Sequence, residues 1–142
     1  MAEPGRVLGL DPGDARVGFA ISDPARLVAV PFGTVHVGQP PGELKAVAAI
    51  VAENQVTALV IGLPRELSGE EGPRAAHARA FAGAIEGFVA VPIEFQDERL
   101  STVEAERMLR GAGVVGRQRR GVVDQTAATV ILQAWLDRHA GG

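Results

Sequence analysis

The hydrophobic pattern changes its rhythm several times along the chain, and each change marks an element. Arg6–Leu10 is a short, almost wholly apolar run, as expected of a strand buried on both faces. After a Pro12-Gly13 turn, Val17–Ile21 reads as its antiparallel partner. Leu27–Val35 reads as a third strand, which Pro31 and Gly33 assign to the sheet edge. Past Pro40-Pro41-Gly42 the period lengthens. Glu43–Glu53 places Leu44, Val47, Ala48 and Val51 at helical spacing, and Val56–Leu63 is again a continuous apolar run. Ala75–Phe88 is a helix of small residues, and Val91–Glu98 alternates like a strand with one covered face. Ser101–Arg110 is a helix with Ser101 and Glu104 spaced for a capping box, and Val122–Arg138 is the last helix, reached through a Gly/Arg loop.

The order β-β-β-α-β-α-β-α-α joins a three-strand antiparallel meander to strand–helix alternation. Alternation implies parallel strands with right-handed crossovers. The expected architecture is therefore α/β, one mixed five-stranded sheet with helices on both faces. No repeat, low-complexity tract or linker interrupts it, so residues 1–142 read as a single domain.

Composition narrows the chemistry. With 142 residues and no cysteine, disulfides, zinc–thiolate centres and thiol nucleophiles are excluded. No apolar stretch is of bilayer-spanning length and no signal peptide is evident, so a cytoplasmic protein with no membrane partner is expected. The net charge of −3 gives no global basic footprint. Lys45 is the only lysine, however, and between Arg99 and Arg120 six arginines face only Glu104 and Glu106. Arginine-rich usage has a bland source in genome composition. The local excess nevertheless suits a polyanion.

The acids carry the sharper hypothesis. Ligands of open α/β sheets bind outside the carboxyl ends of the strands. Asp11 is expected to terminate the first strand, Asp97 and Glu98 the last, and Asp124 to open the final helix. Carboxylates gathered in this way suit Mg²⁺ or Mn²⁺, and a pair of ions roughly 3.5–4 Å apart serves phosphodiester hydrolysis. Each acid taken alone has a plainer reading. Asp before Pro-Gly starts turns, Asp97 and Glu98 pair with nearby arginines, and Asp124 in a first helical turn complements the dipole. Ala127, Ala128, Ile131, Ala134 and Trp135 share the side of Asp124, so the packing face also carries the acid. His36, His77 and His139 have no metal-ligand spacing and receive no role.

Four blocks, "LGLDPGDARVGFAISD", "VIGLPRELSGEEGPRA", "DERLSTVEAERML" and "VDQTAATVILQAWLD", together resemble the bacterial YqgF family, also called RuvX, a family of pre-16S rRNA nucleases. It belongs to the ribonuclease H-like superfamily, alongside the Holliday junction resolvase RuvC. The resemblance implies a ribonuclease H-like mixed five-stranded sheet and a divalent-metal-dependent nuclease. Its metal-binding and catalytic acids would be Asp11, Glu98 and Asp124. Arg16, Arg99 and the loop arginines Arg117, Arg119 and Arg120 would meet nucleic-acid phosphates. The Gly62–Gly72 loop lies beside the family's site, and "PRELSGEEG" is more charged there than the family leads one to expect, Glu66 in particular. In many ribonuclease H-like enzymes the second acid follows the fourth strand, which here ends in Gly62-Leu63-Pro64. By alternation Asp97 shares a face with Val91, Ile93 and Phe95, and Glu98 with Glu94 and Gln96. Both cannot then face the ions; the longer Glu side chain and the family pattern favour Glu98 as the second ligand, with Asp97 in reserve.

The implied substrate is RNA, with pre-16S rRNA first and branched or single-stranded DNA as the alternative, cut by a monomer or homodimer. Two other classes compete. A phosphate-binding module of the actin and sugar-kinase kind also uses a strand–turn–strand like Asp11–Gly18, but needs two such domains to enclose ATP. A nucleic-acid binder without catalysis needs no acids, and all three are present.

Overall fold

In the computed structural model, residues 5–13, 15–38, 42–64, 68, 70–97 and 116–139 are described, with only the backbone for 116–125. The elements are β1 (Arg6–Pro12), β2 (Arg16–Ser22), β3 (Ala29–His36), α1 (Gly42–Glu53), β4 (Val56–Leu63), α2 (Pro73–Ile85), β5 (Ile93–Asp97) and α3 (Gly116–His139). They form one five-stranded sheet in the order β3-β2-β1-β4-β5. β1–β2 and β2–β3 pair antiparallel, and β1–β4 and β4–β5 parallel. The expected mixed sheet is present, with β1 at its centre and β3 at one edge. The expected Ser101–Arg110 helix lies outside the described residues.

Period-two alternation in the strands divides the core into two layers. Leu8 and Leu10 of β1, Val17, Phe19 and Ile21 of β2, and Leu59, Ile61 and Leu63 of β4 meet α1 and α2 on one face. The α1 helix contributes Leu44 and Val47. The α2 helix contributes Ala75, Ala78, Ala82 and Ile85, a stripe at spacings of three and four. On the other face Val7, Ala20, Ala29, Ala58 and Val60 meet Ala128, Ile131, Leu132, Trp135 and Leu136 of α3.

Local chemistry explains where elements stop. Gly72 caps α2, with Pro73 in its first turn. Its end comes earlier than Phe88, because Gly87 N donates to Ala84 O (3.4 Å) and Phe88 N to Ile85 O (2.9 Å), a tightened last turn. Phe88 is left exposed. β3 starts two residues later than its apolar run. The Leu27 and Val28 amides both donate to Asp23 Oδ1 at 2.8 Å, which commits them to the β2–β3 turn. Among the described residues no helix is long and apolar enough to cross a membrane.

Candidate active site at the carboxyl end of the sheet

The parallel strands β1, β4 and β5 all point their carboxyl ends the same way, toward the β1–β2 turn. Asp11 stands there, but inside β1 rather than at its terminus. The strand continues through Pro12, and Asp11 pairs with Gly18 across the ladder to β2. Alternation from Val7 and Gly9 puts Asp11 on the α3 face of the sheet. Its cross-strand partner Gly18 carries no side chain. On the other flank Leu10 pairs with Ile61, so the residue beside Asp11 on β4 is the buried Gly62. A partly buried acid thus stands between glycines of the two neighbouring strands.

Arg16 opens β2 on this same face, two residues from Gly18 and in line with Ala20 of the α3 layer. The turn between Asp11 and Arg16 is tight: Gly13 N donates to Arg16 O at 2.8 Å, and a Cβ on Gly13 would lie 2.8 Å from that same oxygen. Two further elements hold the turn. Val37 N donates to Ala15 O at 2.8 Å, and His77 of α2 lies with Nε2 3.3 Å from Gly13 O. That carbonyl can only accept, so His77 Nε2 is the donor. Sequence reasoning gave His77 no role for want of metal-ligand spacing; the carbonyl it meets lies 64 residues away in the chain.

β5 ends on Asp97, and its alternation decides the face of that acid. Ile93 and Phe95 pack on the α1–α2 layer, whereas Gln96 is buried on the other face and its Oε1 accepts from Arg138 Nη1 at 3.4 Å. Asp97, opposite Leu63 in the register, therefore belongs to the α1–α2 face, away from Asp11. Glu98 and Arg99 lie outside the described residues, as does Glu66. In the loop before α2, Glu71 takes both its carboxylate oxygens to Arg79, whose Nε and Nη2 donate at 2.6 and 2.7 Å. Arg79 also lies 5.0 Å over the Phe95 ring. The Glu71 hydrogen bond raises the guanidinium pKa above its already high ordinary value.

The last helix differs most from expectation. It begins at Gly116, not Val122, so positions 117, 119 and 120 belong to a helix rather than a loop. Asp124 accordingly falls in its third turn. No acid occupies the first turn, and the dipole-capping account of Asp124 falls away. The helix crosses the sheet obliquely. Gln133 reaches Ala29 N at 2.9 Å, Trp135 meets Arg26 at the amino ends of β1 and β4, and Ala128 and Leu132 lie on Gly9. Position 124 is one turn before Ala128 on the same stripe, in the direction that leads from Gly9 to Asp11.

Among the described residues no three potential metal-ligating side chains gather at one point. Asp11 is the described member of the expected set. The donor chemistry of that set, carboxylate oxygens only, fits a hard divalent cation and no soft one.

Comparison with known proteins agrees with this geometry. The family model of RuvX, described as Holliday junction resolvase, matches residues 5–138. A relative from a Nocardioides species, named pre-16S rRNA nuclease, is 50% identical over 92% of this chain and 86% of its own. Another of that name, from a Roseiflexus species, is 43% identical over 96% of both chains. Among solved structures, Thermus thermophilus RuvC in complex with a Holliday junction substrate aligns with a TM-score of 0.53 at 18% identity, covering 96% of each chain. Fowlpox virus resolvase with Holliday junction DNA aligns with a TM-score of 0.56 at 6% identity, over 95% of this chain and 99% of its own. These two show the ribonuclease H-like fold.

Proposed function

The chain belongs to the RuvX family of nucleases, and from that premise we propose that it hydrolyses phosphodiester bonds of RNA, with the precursor of 16S rRNA as its substrate. Nucleic acid as the substrate class and divalent-metal use in general go with the family. The choice of RNA, of Mg²⁺ or Mn²⁺, and of two ions is our reading. One observation carries it: Asp11, an acid in an otherwise apolar central strand, stands on the α3 face near the carboxyl end of the sheet, with Gly18 opposite it on β2 and Gly62 beside it on β4.

Asp11, Glu98 and Asp124 are the proposed ligands and catalytic acids. Two observations support the partners. Asp97 belongs to the face opposite Asp11, which favours its neighbour in sequence, Glu98, as the second ligand. Two strand residues, about 6.6 Å, separate Asp11 from Gly9, while one helical turn, about 5.4 Å, separates position 124 from Ala128, which packs on Gly9. These acids would hold a divalent ion, which would supply Lewis-acid charge for phosphodiester hydrolysis. The protein's own task is to set the spacing of the acids. Arg16 on the same face, with Arg99, Arg117, Arg119 and Arg120, binds flanking phosphates, so affinity falls as salt rises.

A second reading, cleavage of four-way DNA junctions, is favoured by the description of the family as Holliday junction resolvase. Both readings are tested together. End-labelled single-stranded RNA carrying the 16S precursor's 5′ region, its DNA counterpart and a four-way junction are incubated with Mg²⁺, Mn²⁺ or chelator, using wild type and Asp11→Asn. Metal-dependent RNA cleavage that falls at least a hundredfold in the variant is expected. Preference for the junction transfers the assignment to the second reading. Equal cleavage by Asp11→Asn overturns the role of Asp11.

A further inference from the structure

A glycine in the middle of a central strand forfeits packing and backbone entropy, so it needs a reason. Gly9 is the central residue of the run Val7–Asp11, in the middle strand of the sheet. A Cβ placed on it would lie 2.8 Å from Leu132 Cβ and 3.2 Å from the Ala128 carbonyl oxygen. The first contact is closer than carbon atoms tolerate, and both obstacles belong to the α3 main chain or its first side-chain atom. Neither is the free end of a flexible side chain that can swing away. Any side chain at position 9 must therefore lift α3 off β1.

Geometry then transmits the displacement. Asp11 is two residues along the same strand and face, and position 124 is one turn along the same helix stripe from Ala128. The gap between β1 and α3 at Gly9 is thus the spacer between the main chain at Asp11 and that at position 124. We propose that Gly9 is a positioning residue: its missing Cβ sets the β1–α3 separation, and through it the spacing of Asp11 and Asp124 and the size of cation they hold. This rests on the metal-site reading above and deepens it. Gly9 touches neither cation nor substrate.

The consequence has a sign. A wider carboxylate gap penalises the smaller, more rigidly octahedral Mg²⁺ more than Mn²⁺. It weakens binding of either ion even when the fold survives.

The test is direct Mn²⁺ titration, followed by the fall of the free-ion paramagnetic resonance signal, on wild type, Gly9→Ala, Leu132→Ala, Ala128→Val and Asp11→Asn. Thermal unfolding and the Mg²⁺/Mn²⁺ cleavage ratio are recorded for each. Gly9→Ala is expected to bind Mn²⁺ about tenfold more weakly, by analogy with other residues that support ligands from behind. Its cleavage ratio should shift toward Mn²⁺. Leu132→Ala removes packing at the same place without wedging the helix outward. It should lose stability yet bind Mn²⁺ within twofold of wild type. Ala128→Val wedges the same gap from the helix side and should act like Gly9→Ala, which keeps the comparison available should Gly9→Ala not fold. Wild-type Mn²⁺ affinity in a folded Gly9→Ala or Ala128→Val, or an equal loss in Leu132→Ala, overturns the proposal. If Asp11→Asn also binds Mn²⁺ like wild type, the metal-site reading itself has failed, and the positioning role falls with it.

Discussion

Ser22→Ala is a small change with a calculable cost. Ser22 ends β2 and is 2% exposed, and Val7 opposite it is fully buried. The ladder between β1 and β2 runs from Leu8↔Ile21 to Pro12↔Val17, so Val7 stands one residue beyond it. Its amide donates instead to Ser22 Oγ at 2.8 Å, and that hydroxyl passes its own proton to Asp23 O at 2.9 Å. A hydroxyl thus completes the ladder where backbone pairing ends. Its removal forfeits a hydrogen bond with a net value of about 1 kcal/mol and leaves a buried N–H without its acceptor, which brings the cost to about 1–3 kcal/mol. Such a loss is a large part of a domain's usual stability of about 5–15 kcal/mol. Urea unfolding at constant slope measures it. Cleavage assayed well below the transition should be unchanged, because Ser22 lies at the end of the sheet opposite Asp11. A loss under about 0.5 kcal/mol would show that the Val7 amide does not depend on this hydroxyl. Lost cleavage in fully folded protein would refute the separation of the two ends.

Other tests probe the same turn and its neighbour. The Val28 amide foremost, with Leu27 beside it, outweighs desolvation and holds the Asp23 carboxyl below its ordinary pKa. A group depressed in the folded state contributes stability above its unfolded pKa, about 4, and loses it as pH falls through the folded value. The gap in unfolding midpoint between wild type and Asp23→Ala should therefore stay constant from pH 8 to pH 5 and narrow below pH 4; a gap that widens in acid would contradict this. Arg26 adopts φ 62°, donates from Nε to Gly5 O and from Nη2 to Thr57 Oγ1, both at 2.9 Å, and lies 5.9 Å from the Trp135 ring centre. Arg26→Lys loses the planar fork and should cost about 1 kcal/mol in chemical denaturation, with cleavage retained.

Much of the sheet was legible because its strands are pure period-two or continuous apolar runs. Val56–Leu63 was bounded correctly from those residues alone. The edge position of β3 followed from Pro31 and Gly33. Boundaries slipped where polar groups overrode the pattern. Leu27 and Val28 look like strand, but Asp23 captures both their amides. Phe88 looks like helix, but the turn after Ile85 tightens before it. Gly116–Gly121 carries two glycines among charged residues and reads as loop, yet it is helical, and no local signal in it outweighs Gly116 and Gly121. At the candidate site Asp11 was visible as an acid out of place in an apolar run. Its glycine neighbours were not, because Gly62 joins it only through the parallel register of β1 and β4. The close approach of α3 had a sign in the interior glycine of β1, though attention to the alanines of the helix missed it.

The positions of the polar groups follow from one asymmetry. At the amino ends of β1 and β4, polar side chains are tied inward. Ser22 serves Val7, Asp23 serves Leu27 and Val28, and Arg26 spans Gly5, Thr57 and Trp135. Gln133 fastens Ala29 N and Leu27 O, and His139 stacks on Trp135 at 4.0 Å. These contacts pin the C-terminal half of α3 to the sheet. At the carboxyl ends backbone pairs through Gly13, Ala15 and Val37 close the turn, His77 donates to Gly13 O, Arg138 reaches Gln96 on β5, and glycines flank Asp11. Holding α3 at one end, and bringing it down on a bare strand at Gly9, sets its stripe relative to the strand that carries Asp11. Stability and chemistry are thereby separated along a single strand, so substitutions at the Ser22 end should alter unfolding and those at the Asp11 end cleavage.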